Sequence, residues 1–289
     1  CLVTEDSESR VVAQPAEPSA LIGDGTFRTY RLAMACTIEY AAFHVNAAGL
    51  SGGTLAQKKA AVLAAMNVTM TRVNGLYERD MSLRMNLVAN NDLVIFVDSD
   101  NFSNDTAGSL INESQVEIDA AIGLSNYDIG HTVSTGGGGL AQLNSPCTSS
   151  KARGITGSPA PVGDPYDIDY VAHEMGHQFG AQHTFNNSCG GNRSAGTAVE
   201  PGSGNTIMGY AGICAPDVQS NSDAHFHTVS LNQMMTFTTG TGNCAPNTLN
   251  GNTAPSVNAG VDRTIPKGTP FILFPQSVTD ANGDSLTYC

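Results

Sequence analysis

Residues 173–183 read HEMGHQFGAQH, so three of the chain's seven histidines and one glutamate fall within eleven positions. Helical residues four apart lie about one turn apart on one face, so His173 and His177 can chelate a single ion. A catalytic zinc takes three protein ligands and keeps a fourth position for water, which calls for one more donor. His183 supplies it if Gly180 ends the helix in a conformation that turns the chain back. Glu174 stands beside the first ligand, on neither the core face nor the chelating line, where its carboxylate can take a proton from water on the ion. Zinc lowers the pKa of such a water from 15.7 to about 7. The expected chemistry is hydrolysis of a peptide bond without a covalent intermediate, with one catalytic zinc as cofactor and proteins or peptides as substrates.

The segment DPYDIDYVAHEMGHQFG must hold these groups. Asp164 as N-cap, Pro165 at the first helical position and Gly180 at the end predict a helix. Its core face is Ile168, Val171, Ala172, Met175 and Phe179, with the two histidines roughly opposite. A second helix is predicted over 54–80, capped by Thr54, because Val62, Leu63, Met66, Met70, Val73 and Leu76 recur every three or four residues. Strands are expected at 30–45, 83–87 and 93–97, a short helix at 113–122, and a strand at 129–143. Four glycines, Gly136 to Gly139, interrupt that last strand and let another backbone come close. Residues 1–24 read as a propeptide remnant or linker, 25–247 as the catalytic unit, and 248–289 as a linker followed by short β segments. Those segments resemble the start of an Ig-like or PKD-type β-sandwich that residue 289 leaves incomplete.

Thirteen Lys+Arg stand against 26 Asp+Glu, a net charge of −13 that disfavours nucleic acid and anionic lipid as partners. No apolar run approaches 20 residues, so no membrane span is expected. The chain opens at Cys1 without a secretory h-region and reads as a mature segment or fragment. Seven cysteines, none in a CxxC pair, suit disulfides and an oxidising, secreted location, with the odd count leaving at least one thiol unpaired within the chain. Ordinary buried cysteines remain the other reading. Oligomeric state has no signature here.

HEMGHQFGAQH resembles the long consensus of the metzincin zinc metallopeptidases, and NTIMGYAGIC places Met208 like the methionine of their Met-turn. Within the metzincins the chain resembles the reprolysin (adamalysin)-like group of secreted bacterial enzymes. GGLAQLNSPCTSSKARGITG is similar to that group's edge strand and cysteine loop. The resemblance spans roughly residues 26–245. It implies an α+β fold: a twisted mixed five-stranded sheet with long backing and active-site helices, then an irregular half after Gly180. It also implies that Met208 floors the metal site, and that the backbone of Gly138, Gly139, Leu140 and Ala141 holds a peptide in antiparallel β fashion. Tyr210 is placed as in astacins and serralysins, where the tyrosine coordinates zinc or stabilises the tetrahedral intermediate; a structural hydroxyl is the alternative. Family analogy suggests disulfides Cys147–Cys244 and Cys189–Cys214. Thr184 departs from the adamalysins, which usually carry Asp after the third histidine.

CLVT at the start resembles the CGVT of adamalysin propeptides, which would make Cys1 a latency switch of a zymogen; a lipoprotein cysteine or a plain chain boundary is the other reading. Calcium is a further candidate cofactor. Glu39, expected on the first strand, resembles a calcium-binding glutamate, whereas DSDNFSND at 98–105 offers oxygen ligands with Phe102 breaking the EF-hand spacing. His225 and His227 form an HxH without an acid or cysteine partner and read as surface or packing residues. Two other functions compete with endopeptidase: a non-catalytic, zinc-stabilised adhesion or binding module, and an amidase restricted to small peptides or cell-wall material.

Overall fold

The computed structural model describes residues 24–272 and 274–286. The tail before residue 24, including Cys1, and the final residues 287–289 lie outside the described residues. Strand β1, Thr26–Cys36, runs through the middle of the sheet. Its even residues Tyr30, Leu32, Met34 and Cys36 join one buried cluster, and its odd residues Ala33 and Ala35 join another. That period of two gives the domain three layers. The larger residues face the helices that carry the site; the alanines face α3.

The strand order is β2-β1-β3-β5-β4. β2 (Leu83–Leu87), β3 (Ile129–Ser134) and β5 (Gly154–Gly157) are parallel to their neighbours, and the outer strand β4 (Gly138–Ala141) is antiparallel to β5. The expected mixed five-stranded sheet is therefore present, with β6 (Asn247–Leu249) added against the first residues of β1. At the opposite edge, the Asn74 side chain bonds both the N–H and the C=O of Met85, each at 2.9 Å. It blunts β2 against further strand pairing.

Helix α2 (Leu55–Met81) follows the periodicity, with Val62, Met66, Met70, Val73 and Leu76 buried and a capping box between Thr54 and Gln57. Four expectations change. The segment 30–45 is not one strand: Thr37 caps a helix α1 (Ile38–Ala47), and the Ile38 N–H donates to Asp100 Oδ2 at 2.7 Å. Glu39 thus lies exposed on a helix rather than on a strand. Residues 93–97 form no strand either. Asn91 begins a 3₁₀ turn (Asn91–Val94), and its side-chain amide bonds the Met34 N–H and C=O at 2.8 and 2.9 Å, taking the place of a neighbouring strand.

Helix α3 (Ala107–Ile122) begins six residues before the short helix expected, anchored where Glu113 accepts from the Ser103 N–H and hydroxyl. The predicted strand 129–143 is two strands separated in the sheet by β5, with Gly136 and Gly137 in the crossover and Gly138 and Gly139 opening β4. A Cβ on Gly157 would collide with the Gly136 carbonyl, and one on Gly136 with the Asn104 carbonyl. Later in the chain, β7 (Ser256–Asn258) and β8 (Ser277–Thr279) pair as a separate antiparallel ribbon.

Within 98–105, Asp100 and Asn104 hold neighbouring segments together. Asp100 accepts from the Ile38 and Phe102 N–H groups, and Asn104 from the Thr37 hydroxyl and the Thr135 N–H. Disulfides join Cys147 to Cys244 and Cys189 to Cys214, with Cα–Cα distances of 5.7 and 5.4 Å. Cys36 is the free cysteine among the described residues and is buried.

Candidate metal centre and cleft

Three successive helical stretches, Asp164–Tyr166, Asp167–Ala172 and His173–Gln178, form the continuous helix α4. Gly163, at φ 73°, takes the N-cap position expected for Asp164, whose carboxylate is engaged in a two-point pair with Arg72 of α2 at 2.8 and 3.0 Å. The middle stretch is wound as a π-helix, and Tyr77 donates to the Ala172 carbonyl at 2.9 Å. Its apolar face is buried as the spacing requires: Ile168, Val171, Ala172, Met175 and Phe179 are each at most 2 % exposed.

The end of α4 turns as expected. Gly180 has φ 102°; its N–H donates to the His177 carbonyl at 2.8 Å, and the Ala181 N–H reaches the Gly176 carbonyl at 2.9 Å. This pair of bonds is a Schellman motif. The Ala181 carbonyl, exposed by the turn, accepts from His177 Nδ1 at 2.6 Å. His183 then comes back beneath the helix.

His173, His177 and His183 offer ring nitrogens that all lie within 4.8 Å of one another. Each uses Nδ1 on a backbone carbonyl: His173 on Ile207 at 2.7 Å, His177 on Ala181, and His183 on Asn192 at 2.6 Å. That fixes the tautomer and leaves every Nε2 as a bare lone pair. His177 Nε2 and His183 Nε2 are only 3.0 Å apart. Two lone pairs at that separation repel, so the donor set fits a cation between them. Burial keeps the rings neutral, the form that binds metal. It depresses His173 well below the usual imidazole range and His177 to about 3, and it lowers His183, with mutual histidine repulsion adding to the first two.

Glu174 is buried, and its Oε2 has no hydrogen-bond partner. Desolvation pushes its carboxyl up to about 8. Gly139 of β4 lies against it so closely that a Cβ there would overlap the carboxylate. Met208 is fully buried beneath Gly176, and its carbonyl accepts the Thr184 N–H at 3.2 Å. Tyr210 packs on the histidines, its ring centroid 4.7 Å from His183 and 5.7 Å from His173, and burial raises its phenol to about 12. A cleft of about 370 Å³ is bounded by Gly139, Leu140, Ala141, Glu174, His177, His183 and Tyr210. Gly138 precedes it on β4. The structure thus brings His173, His177, His183, Glu174, Met208, Tyr210 and Gly139 to Ala141 together, with Gly138 next to them on β4.

His225 and His227 serve other ends. The His225 carbonyl accepts the Ile207 N–H, and His227 Nδ1 accepts the Val229 N–H at the start of helix α5 (Thr228–Thr239). Among the described residues, the three histidines are the group of His, Cys, Asp and Glu side chains positioned to share an ion.

Two residues escaped the sequence reading. Glu200 is buried, accepting from the Thr184 and Thr206 hydroxyls and from the Asn205 and Thr206 N–H groups, which lower its pKa against the cost of burial. It ties the chain after His183 to the Met208 turn. Gln178 reaches down to His131 Nδ1 at 2.8 Å and the Gly130 carbonyl at 2.9 Å, fastening α4 to the sheet. Only an acid among small polar residues, and a glutamine within an apolar stripe, could have signalled them.

Residues 26–236 match the model of a family described as Metallo-peptidase family M12B Reprolysin-like. The chain belongs to this family. The family's description is that of metallopeptidases, and the histidine triad of this chain could hold a metal ion. No curated protein matches. Of solved structures, one described as "Structure of a chaperone-substrate complex" aligns at 13 % identity with a TM-score of 0.40, over 74 % of this chain and 36 % of that one. The chain spans about a third of that chain's length. No helix of the described residues is long and apolar enough to cross a membrane.

Proposed function

We propose that this M12B chain is a secreted zinc endopeptidase in which His173, His177 and His183 hold the ion and Glu174 is the general base. The observation that carries the reading is the donor set itself: three rings locked by Nδ1 bonds, with bare Nε2 atoms converging beside a buried carboxylate that has a free oxygen. Zinc, when bound, supplies Lewis acidity and lowers the pKa of water to about 7.

Glu174 takes the proton of the attacking water on Oε2 and passes it to the departing amine nitrogen. β4, with one edge free beside the cleft, aligns a peptide through its backbone amides, and Tyr210 borders the reacting carbonyl with a phenol that stays protonated. Met208 supports the rings from below. Both disulfides fit an extracellular setting. The unit proposed for this chemistry extends to about residue 247, and the short β7–β8 ribbon lies after it in the chain.

Digestion of casein, with chelator and Glu174→Ala controls, tests the reading. Hydrolysis that both controls abolish supports it. Zinc-loaded wild type that cuts nothing favours a binding module, and release of products only from short peptides or cell-wall material favours an amidase.

A further inference from the structure

A second cavity opens on the far side of Tyr210. It encloses about 170 Å³, and its lining includes Asp169, Tyr170, Tyr210, Ile213, Ser220 and Ser222. Tyr210 also lines the main cleft and packs on His183 and His173, so the cavity is one aromatic ring away from the metal ligands. Among the ten residues of the lining, Asp169 is the one that carries a formal charge. It lies one turn before His173 on α4, and its Oδ1 accepts the Ser222 N–H at 3.0 Å.

That carboxylate has no counter-ion: the ion pairs of the described residues engage Asp24, Asp128, Asp164, Asp80 and Glu78. Arg72, which pairs with the neighbouring Asp164, is already held at two points. Desolvation raises the Asp169 carboxyl and the Ser222 N–H opposes the rise. A half-buried anion in a small cavity, ringed by hydroxyl groups that can accept from an ammonium or guanidinium, is complementary to a cationic side chain. A net charge of −13 draws basic peptides toward the cleft as well.

We propose that this cavity receives a lysine or arginine side chain flanking the scissile bond, and that Asp169 determines that preference; the inference rests on the peptidase reading above. An oriented peptide library cleaved by the zinc-loaded enzyme should show Lys and Arg enriched at one position beside the cut. Matched peptides with Lys or norleucine there should differ about tenfold or more in kcat/KM, about 1.4 kcal/mol. Asp169→Asn should bring that ratio within about twofold of unity, and Asp169→Glu should restore part of it. Cleavage without basic enrichment, or an undiminished ratio in Asp169→Asn, overturns the assignment and leaves the peptidase reading standing.

Equilibrium binding of the same two peptides to Glu174→Ala separates the two ideas. Tighter binding of the Lys peptide without any turnover by wild type keeps the cavity and defeats the peptidase reading. Equal binding overturns the cavity. If Asp169→Asn does not fold, the wild-type library and this binding pair decide the matter.

Discussion

Glu174 is useful because of what its neighbours withhold from it. Buried, with Oε2 unpartnered, it is a carboxylate whose charge nothing nearby in the protein stabilises. Glu174→Gln keeps the shape and removes the base. Zinc content should stay at one per chain while kcat falls about 10²–10⁴-fold, read by metal analysis beside a fluorogenic peptide assay. The histidines pose the opposite problem, since His177 and His183 press two lone pairs together at 3.0 Å. Stripping the metal should therefore lower the Tm by several degrees, because a ligand held by the native state alone stabilises it. In His183→Ala the chelator-induced shift should vanish; a full shift in that variant would mean the ion sits elsewhere.

Helix α4 works through its two ends. At the C-terminal end Gly180 adopts φ 102°, where a Cβ would also meet the Asn144 side chain. Gly180→Ala should cost about 1–3 kcal/mol and weaken zinc binding, because His183 enters through that turn; calorimetry and metal titration check both. On the sheet side, Gln178 and Thr156 hold His131 between them, and burial depresses its pKa to about 4. An unfolded histidine titrates near 6.5. Between those values the unfolded chain binds a proton the native state refuses, so His131 stabilises above about 6.5 and loses that contribution as pH falls toward 4, by up to about 1.4 kcal/mol per unit. Denaturant melts of wild type against His131→Gln across that window should show the steeper pH slope in wild type.

The helices with long apolar periods, α2 and α4, were legible because their buried stripes are written at 3.6-residue spacing. α1 was not: Ile38, Tyr40 and Val45 have strand propensity, and the turn from strand to helix is decided by Thr37 and a distant Asp100. Asn91 hid in the same way, its amide standing in for a strand against Met34, 57 residues earlier in the chain. The candidate ligands His173, His177 and His183 were readable from their spacing, and Met208 through the metzincin resemblance of NTIMGYAGIC. Glu200 and Asp169 were not, because each takes meaning only from loops folded against it.

At the scale of the molecule, the two disulfides do different work. Cys189–Cys214 clamps the loop whose Asn192 carbonyl orients His183, whereas Cys147–Cys244 joins the loop before β5 to the segment after α5. Replacing the first pair with serine should weaken zinc affinity about 10–100-fold and cost about 3 kcal/mol. Replacing the second should lower the Tm and leave the affinity within about twofold, as parallel metal titrations and melts would show. The three layers bring β4, α4 and the Met208 turn to one cleft, and the proposed peptidase activity rests on that convergence.

Titrating zinc into metal-free protein while following peptide hydrolysis tests this most directly. Activity should rise linearly, stop at one equivalent per chain, and stay absent from Glu174→Gln at the same zinc content. Hydrolysis that ignores zinc, or a site that fills with zinc while no peptide bond is cut, would contradict it.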